Sequence, residues 1–583
     1  MKDFLSVLGG LRRQKTVYSA VNTRDFPVHD VYNPTTISDH QSLNPFAAVF
    51  RRPLSNKPKW VFLTMVFGLS ALTFGTFLIV LDPYNFFFKM KVRFTEGSET
   101  FLMWRDPPVV LHLKVYLFNV TNKDAFLRGE DSVLKFEEVG PYVYREDMRH
   151  GNVTFNKNGT MTAVPLHPLV WVPEMSNGTE QDILVLPNIA LLSFAHLMSD
   201  AAFLTRTFVN TFIRQSSWEP LVEMTAWEFM FGYRTTLLTI GNKFAPSWIS
   251  FDKLGLIDRM YYFEGDTSTT FTGMTDPRLG GLIDNYNNRP YLPQWEAPCD
   301  VVSNSSDGSK FPSYIKPNDT LRFFRKSLCR SMPLVRVGEE TLQGLHGYTY
   351  HFQDHALDNG ENNSSNKCFC RKGHCLPPGL IDVTDCYYGF PIALSYPHFY
   401  QADESLLQAV EGMHPDPKLH TTFFTVNPES GLPLRLSVKM QINMALGDLS
   451  SMAKCERFAH QVIPMLWTDI YMNGLPPDVS TKFYMYLNVA PATLSVLIYM
   501  LLVGGVAFMV LSVAVGFCVP RDINLNDPTA VWREDMLGRE VFPVQKRKPK
   551  EREPVASNNN NSKEMEVYYC SLLTPVDREN LDE

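Results

Sequence analysis

Six of the nine cysteines lie close together and are the residues best suited to covalent or metal chemistry. They fall within 88 residues, at Cys299, Cys329, Cys368, Cys370, Cys375 and Cys386. One interpretation is a set of disulfides, whose pairing the sequence alone does not choose. The other is a metal site, because cysteine thiolates and the imidazole of His374 are ligands for soft metals such as zinc. The spacing of Cys368 and Cys370 departs from the usual zinc pattern, so the sequence favours disulfides and predicts no metal site.

The sequence lacks the short motifs of common hydrolase, metalloprotease, phosphate-binding and dinucleotide-binding sites, namely G-x-S-x-G, H-E-x-x-H, G-x-x-x-x-G-K-[ST] and G-x-G-x-x-G. It therefore predicts no catalytic residue and no cofactor, and it favours a binding protein. An ectoenzyme stays open as an alternative. The formal net charge of −7 gives no general attraction for polyanions, which excludes a nucleic-acid partner on electrostatic grounds.

Two uncharged segments are long enough to cross a bilayer, whose hydrocarbon core takes about 20 helical residues. They are predicted at residues 60–81 and 490–519. A signal peptide is the alternative for the first segment, but its apolar core is longer than usual and 59 residues precede it. A buried helix of a soluble protein is the alternative for the second segment. The favoured interpretation is a two-pass membrane protein with tails at residues 1–59 and 520–583.

N-glycosylation sequons decide which side of the membrane each part faces, because they are used only in the secretory lumen. Eight lie between the predicted spans, at Asn119, Asn152, Asn158, Asn177, Asn304, Asn318, Asn362 and Asn363. The tails offer only Asn560. We therefore expect residues 82–489 to form a glycosylated domain outside the cytosol, with both termini cytosolic. An oxidising compartment also supports disulfides among the clustered cysteines.

The predicted ectodomain shows mainly strand patterns with one helical segment. Residues 109–120 and 141–145 alternate apolar and polar side chains, as half-buried strands do. Residues 182–231 instead repeat apolar side chains at three- and four-residue steps, which predicts a helical insertion with turns at Pro187 and Pro220. Short strands are expected from Tyr233 onward, and no linker divides the region.

A series of short motifs between the spans carries a family resemblance. The motifs are Glu138-Val139-Gly140-Pro141-Tyr142, Phe231-Gly232-Tyr233-Arg234, Asp307-Gly308 with Phe311-Pro312, Leu328-Cys329-Arg330-Ser331, Cys368-Phe369-Cys370, Pro391-Ile392 with Pro397-His398-Phe399, and Ser430-Gly431-Leu432-Pro433-Leu434. In this order, and flanked by two spans, they resemble the class B scavenger receptor family, which includes fatty acid translocase, croquemort, the lysosomal integral membrane proteins and the sensory neuron membrane proteins.

The resemblance implies an antiparallel β-barrel core crossed by an apolar tunnel, with a helical bundle at the membrane-distal apex, where residues 182–231 would lie. It implies three bridges by position, Cys299 to Cys368, Cys329 to Cys386, and Cys370 to Cys375. Cys455 has no partner in that scheme and is interpreted as a buried free thiol. A lysine near the family's apex is tied to lipid entry, and Arg214 is the candidate for that position here.

The resemblance also implies a function, the binding and uptake or transfer of lipid or lipoprotein-like ligands through the tunnel. Two alternatives stay open: an adhesion or phagocytic receptor that recognises particles at the apex, and an endolysosomal membrane protein with a structural or trafficking role. The C-terminal tail carries Tyr569 and Leu572 in the pattern read by clathrin adaptors, which predicts cycling between plasma membrane and endolysosomes. Cys518, at the cytosolic end of the second span, is a palmitoylation candidate.

Overall fold

The computed structural model describes residues 57–244, 251–518, 530–532 and 543–545. Thr64–Ala514 forms one compact unit, and the chain on either side of it forms another, of which only short parts are described. The predicted tails therefore lie almost wholly outside the described residues. The helices, numbered in chain order, are α1 (Lys57–Leu81), α2 (Pro83–Lys91), α3 (Glu99–Arg105), α4 (Lys123–Arg128), α5 (Ile189–Ser199), α6 (Phe203–Gln215), α7 (Ala226–Phe231), α8 (Thr236–Phe244), α9 (Leu256–Met260), α10 (Glu404–Gln408), α11 (Pro417–His420), α12 (Pro477–Tyr484) and α13 (Ala490–Cys518).

The strands outnumber the helices. They are β1 (Leu111–Val120), β2 (Leu134–Glu146), β3 (Arg149–Phe155), β4 (Thr160–Leu166), β5 (Leu169–Trp171), β6 (Ile183–Pro187), β7 (Leu221–Thr225), β8 (Ser268–Phe271), β9 (Ile283–Tyr286), β10 (Leu321–Arg325), β11 (Arg330–Leu342), β12 (Leu345–Phe352), β13 (Ile381–Asp382), β14 (Ile392–Ser395), β15 (Val410–Glu411), β16 (Phe423–Val426), β17 (Pro433–Ala445), β18 (Val462–Met472), β19 (Ala530–Trp532) and β20 (Pro543–Gln545).

Two helices, α1 and α13, stand at the ends of the β-rich region. Both belong to stretches that are long and apolar enough to cross a membrane, and few of their side chains pack inside the protein. A single π-helical turn, Met485–Val489, joins α12 to α13, so the second stretch begins in α12. An uncharged helix with exposed apolar side chains on all faces suits a lipid environment.

Most of the ectodomain is built on one twelve-stranded sheet. Its main path runs β10-β11-β12-β16-β17-β18-β1-β2-β15, while β14 adds to β17, β13 adds to β14 and β5 adds to β2. The strand predicted at residues 109–120 is confirmed as β1, where Leu113, Val115 and Leu117 are fully buried and alternate with partly exposed side chains. Smaller sheets of four strands (β3-β4-β8-β9) and two strands (β6-β7) complete the ectodomain.

The implied barrel is not closed among the described residues. The strands at the two ends of the main path, β10 and β15, do not pair with each other. β15 has two residues and pairs in parallel with the start of β2, so it is too short to extend the ladder toward β10. The core is therefore an open, mainly antiparallel sheet.

The helical insertion predicted at residues 182–231 is only partly correct. Helices α5, α6 and α7 lie in it, but it also contains the strands β6 and β7, which pair antiparallel along five residues each. The flank Ile183–Pro187 is a run of aliphatic side chains, which suits a strand as well as a helix. The short strands expected beyond Tyr233 are present as β8 to β18, although the helices α8 and α9 precede them.

Candidate functional site

The largest apolar pocket described here, of about 500 Å³, lies between α2, α3 and the segment from α12 into α13. We call it the juxtamembrane pocket, because it adjoins the two long apolar helices. Its inner wall includes the apolar side chains of Phe88, Phe94, Met103, Trp104, Leu432 and Phe483. Charged side chains line it as well, at Lys91, Glu99, Lys310 and Lys482. Of these, Lys91, Glu99 and Lys482 form a charged rim, whereas Lys310 is buried with the apolar side chains.

A second cavity, of about 80 Å³, lies against the large sheet and is called the central cavity. The sheet contributes to its lining Phe323 of β10, Phe424 of β16, Val438 of β17 and Ile470 of β18. It shares four lining residues with the juxtamembrane pocket, namely Met103, Ser309, Leu432 and Phe483. The two spaces are therefore neighbours with common walls.

Two smaller cavities of about 20 Å³ each continue this row. The first shares three residues with the central cavity, Arg325, Val438 and Ile470. The second shares Met260 and Ile442 with the first and reaches Ile189 at the start of α5. A volume of this size holds roughly one water molecule. The row of cavities thus runs from α13 to α5 and is constricted beside β17.

A buried ion-pair network borders the constriction. Arg325 Nη2 donates to Glu146 Oε1 at 2.9 Å, and His167 Nδ1 lies 2.6 Å from the same oxygen. The Tyr261 hydroxyl donates to Glu146 Oε2 at 3.1 Å. Burial opposes ionisation of Glu146, but the charge of Arg325 and the hydrogen bond from His167 outweigh it and lower its pKa to about 2. An intact, buried ion pair therefore stands beside the constricted part of the row.

Sequence reasoning missed this network. Arg325 is the last residue of the apolar strand β10, and Glu146 is the last residue of β2. In the sequence, each therefore looks like a solvent-exposed charge at the end of a strand. The available signal was a charge next to apolar strand residues, which is common at strand ends. Only the pairing of residues 179 positions apart reveals that both side chains are buried.

A second polar cluster brings two of the sequence motifs together. His398 Nε2 lies 2.6 Å from Glu138 Oε2, and Trp467 Nε1 donates to the same oxygen at 2.6 Å. The backbone N–H of His414 donates to His398 Nδ1, so the other ring nitrogen carries the proton that Glu138 accepts. The ring of His420 stacks on His398 with centroids 4.7 Å apart, and burial lowers the pKa of His420 to about 4.

The clustered cysteines form three disulfides in the structure, Cys299–Cys368, Cys329–Cys386 and Cys370–Cys375. These are the pairs that the resemblance implies. Cys455 is free and buried, and burial raises the pKa of its thiol to about 12. Within the described parts of the chain, no group of three or more His, Cys, Asp or Glu side chains could hold a metal ion.

The predicted glycosylation sites differ in exposure. Six asparagines are exposed, at Asn152, Asn158, Asn177, Asn304, Asn318 and Asn362. Asn119 and Asn363 are half-buried, and the Asn119 side-chain oxygen accepts a hydrogen bond from the Val185 N–H at 2.9 Å. The first group is therefore the more accessible to glycosylation.

The remaining predicted site residues are Arg214, Cys518, Tyr569 and Leu572. Arg214 is exposed in the last turn of α6 and lines none of the four cavities. Cys518 is the last residue of α13. Tyr569 and Leu572 lie outside the described residues.

Comparison with known proteins identifies the family. The family model described as "CD36 family" matches residues 61–516. Scavenger receptor class B member 1 of Cricetulus griseus is 31% identical over 462 residues, which cover 78% of this chain and 89% of that protein. Lysosome membrane protein 2 of Homo sapiens is 31% identical over 388 residues, which cover 65% of this chain and 78% of that protein. Protein peste of Drosophila melanogaster is 28% identical over 417 residues, which cover 70% of this chain and 74% of that protein. Because the match takes in both apolar helices and the whole region between them, the chain belongs to the CD36 family, the class B scavenger receptors.

Proposed function

We propose that this protein is a membrane receptor that binds lipid or lipoprotein-like ligands and passes lipid through its ectodomain. The observation that carries the proposal is the row of apolar cavities between α5 and α13. Apolar ligands gain about 25 cal/mol per Å² of surface removed from water, so an apolar path shields lipid in transit without any chemical step. In this proposal the cavities join into one tunnel when side chains at the constriction move.

The direction of transfer follows from the ends of the row. The end at α13 adjoins a helix suited to the membrane, and the other end is lined by Ile189 of α5 together with residues of α9 and β14. We place α5 at the apex, with lipid entering beside it and leaving at the juxtamembrane pocket. Met260 and Ile442 stand at the narrowest part of this path, and methionine adapts readily to a passing ligand.

The same proposal places residues 82–489 outside the cytosol and both termini inside it. The sequons and the three disulfides support this orientation, since both need the secretory lumen. Similarity to a scavenger receptor and to a lysosome membrane protein supports a location in the plasma membrane, the endolysosomal membrane or both.

Blocking the constriction tests the function. Val438 lines both the central cavity and the next one, so Val438→Trp fills the path with an indole ring. We expect loss of uptake of a fluorescent apolar lipid in cells that display the variant at their surface. Val337→Trp is the matched control, because Val337 lies exposed on β11. Normal uptake by a surface-displayed, disulfide-bonded Val438→Trp variant would contradict the tunnel.

An adhesion or phagocytic receptor is the second candidate, and one observation favours it. Helix α6 exposes Phe203, Leu204 and Phe208, which are 71–80% accessible, and such apolar patches mark interaction surfaces. If the apex binds particles directly, replacing these three residues with Ser should abolish particle binding and leave uptake of free lipid intact. Val438→Trp should then leave particle binding unchanged.

A further inference from the structure

We propose that the juxtamembrane pocket binds one glycerophospholipid of the adjoining leaflet, with its phosphate between Lys91 and Lys482 and an acyl chain inside the pocket. The inference rests on the proposed function in that α1 and α13 cross a bilayer. It goes further by assigning a ligand class and two headgroup contacts to a defined site.

The position of the pocket is the first argument. Helix α2 begins one residue after α1 and exposes Phe86, Phe87 and Met90, which are 52–63% accessible. Tyr486, Ala490 and Leu494, at the start of the other apolar stretch, also line the pocket. Exposed tyrosines at the ends of spans, such as Tyr486, are typical of the membrane interface. A leaflet lipid can therefore place one chain in the pocket while its headgroup stays at the interface.

The arrangement of charges at the rim is the second argument. Lys482 Nζ lies 2.7 Å from Glu99 Oε1, and Lys91 Nζ lies 3.7 Å from Glu99 Oε2. Two ammonium groups therefore face the two oxygens of one carboxylate, which leaves one positive charge in excess. A phosphate also offers several oxygens and fits between the same two ammonium groups. Glu99 occupies the place that this phosphate would take.

Lys310 adds an independent observation on the inner wall. Its side chain is buried, and Nζ donates to the carbonyls of Gly280 and Phe311 and to the Ser313 hydroxyl. No carboxylate pairs with it among the described residues, and burial lowers its pKa to about 7. The three acceptors are neutral, so Lys310 draws no negative charge from the pocket. The one positive charge in excess at the rim therefore stays available to an anionic occupant.

The ligand is a phospholipid rather than free phosphate because the lysines are weak binders by themselves. The side chains of Lys91 and Lys482 are 57% and 60% exposed, and exposed ion pairs in water stabilise little. A bilayer lipid can still bind at such a weak headgroup site, since it is present at high local concentration and its acyl chain already lies outside water. Contacts between the headgroup and the two lysines then select which lipid class occupies the pocket.

The test uses the full-length protein in nanodiscs that contain a phospholipid with a photoreactive group in its acyl chain. Crosslinks are expected on peptides containing Met103 and Phe483. The double variant Lys91→Gln, Lys482→Gln should lower their yield about 30-fold. Lys89→Gln is the control, because Lys89 is exposed on α2 and does not line the pocket. Glu99→Gln should raise the yield several-fold, an increase that misfolding cannot produce.

Three results would overturn the proposal. Equal crosslinking yields in the double variant and in Lys89→Gln would mean that the crosslinked lipid is ordinary bilayer lipid around the protein. A lowered crosslinking yield in Glu99→Gln would mean that the rim charges do not hold the headgroup. Competition by millimolar inorganic phosphate would show an anion site that needs no lipid. The Val438→Trp variant separates this proposal from the tunnel, because blocking the tunnel should abolish uptake and leave the crosslinks unchanged.

Discussion

Acid should weaken the packing around α11 through His420. The ring of His420 is 4% exposed, and its Nδ1 accepts a hydrogen bond from the Asp416 N–H at 2.9 Å. Protonation of Nδ1 would remove that acceptor. Burial and the neighbouring His398 and Lys439 disfavour the charged ring, whereas Glu138 and Asp416 favour it, and the net effect lowers the pKa to about 4.

The size of the effect follows from the two pKa values. The unfolded imidazole has a pKa of about 6.5, so between pH 6.5 and pH 4 the unfolded state binds more protons than the folded state. Stability therefore falls as the pH falls through this window, and the loss is complete below pH 4. From pH 7 to pH 5 the expected loss is about 2 kcal/mol, which raises the equilibrium constant for local opening about 20-fold.

Hydrogen exchange of peptides that contain Pro417–His420 measures this opening in the full-length protein. In His420→Asn the side-chain oxygen can take the place of Nδ1 but cannot be protonated. We expect its opening free energy to fall about 2 kcal/mol less between pH 7 and pH 5 than that of the unsubstituted protein. His414→Asn is the control, because the His414 side chain is exposed. The same pH dependence in all three proteins would refute the reasoning.

Three further outcomes are expected. Cys386→Ser should cause retention in the endoplasmic reticulum, because a disulfide that closes a long loop typically contributes about 2–4 kcal/mol to the stability of the fold. Cys455→Ala removes no disulfide and should reach the cell surface, and the glycosidase sensitivity of the N-glycans distinguishes the two outcomes. Glycan mapping by mass spectrometry should find the six exposed sequons occupied more fully than Asn119 and Asn363, and a glycan in either tail would contradict the orientation. Surface biotinylation should show a larger surface pool of the protein for Tyr569→Ala. An unchanged surface pool in the double variant Tyr569→Ala, Leu572→Ala would mean that the motif is a chance match that adaptors do not use.

The family could be identified from the sequence because its motifs are short, local and ordered. Glu138 and His398 belong to two of these motifs, yet their contact across 260 positions could not be predicted. Cys455 is the opposite case, because the family scheme left it without a partner and the structure shows the expected buried free thiol. Local patterns reveal which residues matter, whereas the order of strands decides which of them meet.

The sequence by itself determined the two apolar helices and strand β1, because length, hydropathy and alternation are properties of neighbouring residues. The tertiary structure decided the rest. The open sheet, the pairing of β6 with β7 and the burial of the Arg325–Glu146 ion pair all depend on contacts between distant segments. The row of cavities is the clearest case, since β10, β16, β17 and β18 each supply part of its wall, and no single segment carries a pattern that marks an enclosed space.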